Sequence, residues 1–113
     1  MTKISILGCG WLGFPLAKAL LLKGFSVKGS TTSSEKLATL EKAGITPYLI
    51  TLSENKITGN ATDFLENSEI LIIDIPPKLR GSEKENFVAK IKNVIPFIEN
   101  SSVKNVLFIS STS

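Results

Sequence analysis

Apolar residues fall along this chain in two alternating textures. Short dense runs occur at Lys3–Leu7, Phe25–Ser30, Thr46–Ile50, Ile70–Ile75 and Asn105–Ser110, each the length of a strand. Between them the apolar positions spread to helical spacing. Leu12, Leu16 and Leu20 lie on one face of a helix that stops at Gly24. Glu35 to Ala43 reads as a second helix, with Ser34 as its N-cap, Leu37 and Leu40 spaced for burial and Gly44 as the stop. A short helix near Ala61–Asn67 follows. The last runs from about Glu83 to Asn100, striped by Phe87, Ile91, Val94, Ile95 and Ile98, and Pro96 is expected to kink it or end its regular part.

Strands separated by helical crossovers predict a parallel sheet covered on both faces. Right-handed crossovers make this an α/β fold, a Rossmann-type doubly wound parallel sheet of about five strands in the order 3-2-1-4-5, with helices on both faces. Pro47 agrees with that order. It cannot donate to a ladder, and strand 3 is an edge. Ile70-Leu71-Ile72-Ile73, apolar on both faces, suits a central strand.

Composition narrows the chemistry. With 113 residues, 42% hydrophobic and 20% charged, residues 1–113 are expected to form a single domain with a core of its own. The longest uncharged stretch, Ile4 to Ala17, carries three glycines and a proline and falls short of the roughly 20 residues of a membrane span. A cytoplasmic protein with no membrane partner is therefore expected. One cysteine and no histidine exclude an internal disulfide, Ser-His-Asp or Cys-His catalysis and His-ligated metal sites. The net charge of +3 comes from scattered lysines, unlike the clustered footprint of a nucleic-acid binder.

The strongest motif is Gly8-Cys9-Gly10-Trp11-Leu12-Gly13, between the first strand and the first helix. In that setting Gly8 permits a tight turn, Gly10 lets backbone approach a diphosphate, and Gly13 lets helix and strand pack closely. The diphosphate then lies on the helix N-terminus. Cys9 and Trp11 occupy variable positions of this cofactor loop, as a small filler and an aromatic packed at the helix start. An NAD site commonly places an acid about 20 residues further on. Here that place reads Gly29-Ser30-Thr31-Thr32-Ser33-Ser34, with Lys36 beyond. Ser30, Thr31, Thr32 and Lys36 are thus candidates for holding a 2′-phosphate, and NADP is favoured over NAD.

Ile6–Ala17, Ile72-Ile73-Asp74-Ile75-Pro76-Pro77 and Val106–Ser113 together resemble the N-terminal part of the extended short-chain dehydrogenase/reductases, the nucleoside-diphosphate-sugar epimerase/dehydratase type. The likeness runs the length of the chain, although that family more often spaces its glycines as GxxGxxG. It implies that Ile75 and Pro76 meet the cofactor and that Ser111 hydrogen-bonds the reacting oxygen of a small-molecule substrate. The family's Tyr-x-x-x-Lys pair would lie beyond Ser113, so the chain reads as the cofactor part of a longer enzyme, catalytically incomplete alone. Tyr48, in the region of strand 3, does not substitute. Asp74 could touch ribose or substrate, or cap the loop that follows, and Lys78 and Arg80 could meet a nucleotide diphosphate or be solvated.

Two other readings stay open: a non-catalytic NAD(P)-sensing module, and the cofactor domain of a β-hydroxyacid-dehydrogenase-like NADP reductase, suggested by GxGxxG and Pro76-Pro77. Strand 5 is apolar, without proline or internal charge, so self-association across it into a homodimer is also expected.

Overall fold

The computed structural model describes residues 2–8, 13–52, 57–74 and 87–108. In chain order the elements are β1 (Lys3–Leu7), α1 (Gly13–Leu22), β2 (Ser26–Thr31), α2 (Lys36–Lys42), β3 (Thr46–Leu49), β4 (Thr51–Leu52), β5 (Ile57–Thr58), α3 (Ala61–Leu65), β6 (Ile70–Ile73), α4 (Phe87–Glu99) and β7 (Asn105–Phe108). β3-β2-β1-β6-β7 form one five-stranded sheet in which every pairing is parallel. Counted within that sheet alone, the order is the expected doubly wound one. The difference is a small antiparallel hairpin, β4 with β5, inserted after β3. Two-residue strands leave no periodicity to read, so the sequence does not announce it.

Alternation along β1 divides the core. Ile4 and Ile6 face one way, joining Val27 and Ile72 beneath Ala17 of α1 and Leu40 of α2. Leu7 faces the other way, joining Leu71 and Ile73 beneath Phe64 and Leu65 of α3 and Val94 of α4. β6 is apolar on both faces, and β1 is buried on both with Ser5 its one buried polar side chain, because helices cover both. Pro47 lies in β3, opposite Gly29 on an edge strand, where its missing N–H is harmless. β7 is the other edge, and Leu107 and Phe108 at its end are exposed.

α1 and α2 stop by the same device. Gly24 and Phe25 donate to Leu21 O and Leu20 O, and Gly44 and Ile45 donate to Glu41 O and Leu40 O, paired bonds that close a Schellman turn. The expected Ser34 cap is not made. Glu35 precedes the first turn of α2 with helical backbone and no side-chain cap bond, and the carbonyls of Ser33 and Ser34 receive the first N–H groups instead. α4 continues through Pro96 to Glu99 rather than ending there, and Ile95 is exposed rather than part of the buried stripe. The side chains of Phe87 and Ile91 lie outside the described residues.

α3 is too short to hold itself together. Its final carbonyls are taken by side chains of the sheet and by the turn that follows. Lys28 Nζ donates to Asp63 O and Glu66 O, both at 2.8 Å, Ser5 Oγ donates to Phe64 O at 2.7 Å, and Ser68 N donates to Leu65 O. Asn67, with φ of 64°, turns the chain back toward β6. At its other end Asn60 Oδ1 accepts from Asp63 N as an N-cap. Burial holds the Lys28 ammonium below the usual lysine range.

Candidate functional site

In an open parallel sheet, ligands bind outside the carboxyl ends of the strands where the winding reverses. Here that place is the exit of β1, flanked by the exits of β2 and β6. Gly8 stands at it with φ of 92°, a conformation in which a Cβ would be strained. The peptide unit joining Leu7 to Gly8 is held from both sides. Its carbonyl accepts from Asp74 N at 2.8 Å, and its N–H donates to Ser30 Oγ at 2.8 Å. α1 begins at Gly13, five positions after this fixed glycine.

The candidate residues at the β2 exit divide by environment. Ser30 is buried, only 1% exposed, with its hydroxyl turned to Gly8 N–H. It therefore faces the Gly8 peptide, whereas the sequence reading offers it as a hydroxyl for a 2′-phosphate. Thr31 is also buried, and its Oγ1 accepts from Ser33 N at 3.1 Å, folding the chain into a tight turn. Thr32 and Lys36 are exposed, Lys36 as the first residue of α2. No carboxylate lies between Gly29 and Ser34.

Asp74, immediately after β6, is buried, and its backbone N–H is the partner of Leu7 O. That structural task was not visible in sequence. The signal that could have found it is register: Leu7 pairs with Ile73, so the next residue of β6 reaches the Leu7 carbonyl. Cys9, Gly10, Trp11, Leu12, Ile75, Pro76, Lys78, Arg80 and Ser111 lie outside the described residues. Tyr48 is on an outer strand and committed elsewhere. Its hydroxyl donates to Asp63 Oδ2 at 2.5 Å, and its ring packs edge-on against Phe64. Burial first, then this bond and the Asp63 charge, push its hydroxyl up to about 12.

The described residues fit a dinucleotide. A positive-φ glycine ends the central strand, a helix begins just beyond, and an acid-free loop with an exposed lysine lies at the neighbouring strand's exit. Among the described residues no group of His, Cys, Asp and Glu is placed to hold a metal, and no helix is long and apolar enough to cross a membrane.

Comparison with known proteins agrees. Protein YeeZ of Escherichia coli K12 is 29% identical over 114 residues, a match covering all of this chain and 42% of YeeZ. The chain thus spans less than half the length of that curated relative. A reductase engineered to attenuate substrate inhibition in asymmetric catalysis superposes with a TM-score of 0.79 at 24% identity, covering 98% of this chain and 38% of the reductase. Mycobacterium tuberculosis 3-hydroxyisobutyrate dehydrogenase superposes with a TM-score of 0.62 at 16% identity, over all of this chain and 33% of that one. An imine reductase of Bacillus cereus gives 0.62 at 18% identity, again over the whole chain and 33% of the reductase. At these identities the structural likenesses show the fold. The family model described as NADP oxidoreductase coenzyme F420-dependent matches residues 3–110. The shared level is the NAD(P)-binding Rossmann domain of oxidoreductases, and the narrower likeness to the epimerase/dehydratase type is not part of that match. A glycine turn on the central strand, a parallel sheet wound both ways from it and a family match across nearly the whole chain place this protein in the NADP oxidoreductase coenzyme F420-dependent family, as an NAD(P)-binding oxidoreductase domain.

Proposed function

We propose that this chain is the NADP-binding part of a β-hydroxyacid-dehydrogenase-like reductase that acts on a small carbonyl or imine compound. The observation that carries the reading is the β2 exit: no acid stands where a 2′-hydroxyl would need one, and Thr32 and Lys36 are exposed beside it. The family description names NADP, and a 3-hydroxyisobutyrate dehydrogenase and an imine reductase share the fold. When bound, NADPH supplies a hydride. The chain's own contribution is to hold it: the Gly8–Gly13 stretch takes the diphosphate against the N-terminus of α1, and Thr32 and Lys36 take the 2′-phosphate, with Thr31 shaping the turn that presents them.

Calorimetry or NADPH fluorescence tests this. Saturable binding is expected, stronger for NADPH than NADH by about tenfold in low salt, with the difference shrinking as ionic strength rises. Gly10→Val, which adds a Cβ where the diphosphate passes, should abolish it. Equal affinities in low salt would reject the NADP assignment, and indifference to Gly10→Val would reject the site.

A second reading is supported by the closing Ser110-Ser111-Thr112-Ser113, which resembles the substrate-side serine stretch of sugar-nucleotide epimerases and dehydratases. On that reading Ser111→Ala in the whole enzyme lowers kcat and leaves NADPH affinity unchanged. On the first it changes neither.

A further inference from the structure

We propose that Ser30 is a positioning residue for the cofactor loop, acting on the dinucleotide through the Leu7–Gly8 peptide rather than by touching it. The inference rests on the dinucleotide reading above and assigns Ser30 a role distinct from phosphate recognition. The β1–β2 ladder pairs Ile6 with Gly29 as its last partners. One step beyond, where a parallel ladder would continue with backbone, the Gly8 N–H is received by a side chain, Ser30 Oγ, at 2.8 Å. On the opposite flank the carbonyl of the same peptide unit accepts from Asp74 N at 2.8 Å. A peptide plane is rigid, so fixing its carbonyl and its N–H to two different strands fixes its rotation about the axis of β1. With Gly8 at φ of 92°, that plane sets the direction in which the chain leaves the sheet toward α1.

The two fastenings are not equivalent. Asp74 contributes backbone, which any residue but proline could supply. Ser30 contributes a side-chain oxygen, at 1% exposure, and loses it on substitution. Freed from Ser30, the half-buried Gly8 N–H loses its fixed acceptor, and glycine's broad conformational range lets the peptide turn. The loop's donors would then no longer be prearranged for a diphosphate, and affinity would fall for every dinucleotide alike.

The experiment compares wild type, Ser30→Ala and Ser30→Cys, the last keeping the buried volume filled while offering only a weak sulfur acceptor. For each, the affinities for NADPH and NADH, the thermal midpoint and the hydrogen-exchange rate of the Gly8 amide in the free protein are measured. Both variants should lose about tenfold in affinity for NADPH and for NADH, with the ratio between the two unchanged. The Gly8 amide should exchange faster while the amides of β6 keep their protection. If Ser30→Ala does not fold, the Ser30→Cys measurements decide. Wild-type affinity in the folded variants overturns the inference and leaves the dinucleotide reading standing. Loss confined to NADPH overturns it too, by making Ser30 a direct 2′-phosphate contact. A wild-type protein that binds neither nucleotide overturns the dinucleotide reading and this inference together.

Discussion

Ser5 offers the sharpest test of the packing. It sits on the central strand, wholly buried, on the same face as Leu7 and against the buried Ser68. Its single hydroxyl proton goes to Phe64 O at 2.7 Å, so the 2.5 Å contact with Ser68 Oγ requires Ser68 to be the donor. The chain of donation therefore runs from Ser68 to Ser5 to the end of α3. Ser5→Ala breaks both links and strands two buried groups, the Ser68 hydroxyl and the Phe64 carbonyl, for roughly 3 kcal/mol in all. Ser68→Ala removes one link and leaves Ser5 still donating to Phe64, for about 1 kcal/mol. The double variant has no Ser68 hydroxyl left to strand, so it should cost no more than Ser5→Ala alone. Urea unfolding of the three variants, read by circular dichroism, gives the cycle. A Ser68→Ala as costly as Ser5→Ala, or single costs that simply add in the double variant, would refute the direction of the chain.

Gly59 lies between β5 and α3 with φ of 113°, where a Cβ would run into Leu49 O and stand 3.1 Å from Ile50 Cα. Gly59→Ala should therefore cost upwards of about 2 kcal/mol and shift the urea midpoint accordingly, whereas a cost within about 0.5 kcal/mol would show that the hairpin yields. Tyr48 is the one tyrosine, so absorbance at alkaline pH reports it alone. Its midpoint should lie near 12 in the folded protein, and Asp63→Asn should lower it. Because the folded state holds the proton more tightly than the unfolded one, the stability tied to Tyr48 is complete below about pH 10 and is lost as pH rises toward about 12. A midpoint near 10 in both proteins would contradict the Tyr48–Asp63 bond.

What was legible in the sequence is what repeats locally. The strand runs of β1 and β6, the helix stops at Gly24 and Gly44, and the edge position of Pro47 all follow from period, turn chemistry and the missing proline donor. Contacts between residues distant in the chain were not legible. Lys28 looked like one more scattered lysine, yet it reaches carbonyls on α3 thirty-five and thirty-eight positions away. Ser30 looked like part of a polar loop because its neighbours Thr31 to Ser34 are hydroxyl-rich, and only the register against β1 turns it inward to Gly8. The Ser34 cap was misread because the chain enters α2 through a turn whose carbonyls already serve the first N–H groups, leaving a side-chain cap nothing to satisfy.

The all-parallel sheet also dictates a history for each molecule. No pairing in it is closed by a tight turn, so no two neighbouring strands can zip from a common end. β1, the strand that joins the two halves of the sheet, acquires β2 early, yet its other flank waits until Ile4 finds Ile70. During synthesis from the N-terminus, β1, β2 and β3 leave the ribosome well before β6 exists. Until then the apolar flank of Ile4, Ile6 and Leu7 is an open edge offered to any passing strand. The central position that later makes β1 the most sheltered strand thus makes it the most vulnerable one at birth, and slowing elongation just before β6 should raise the share of chains that aggregate.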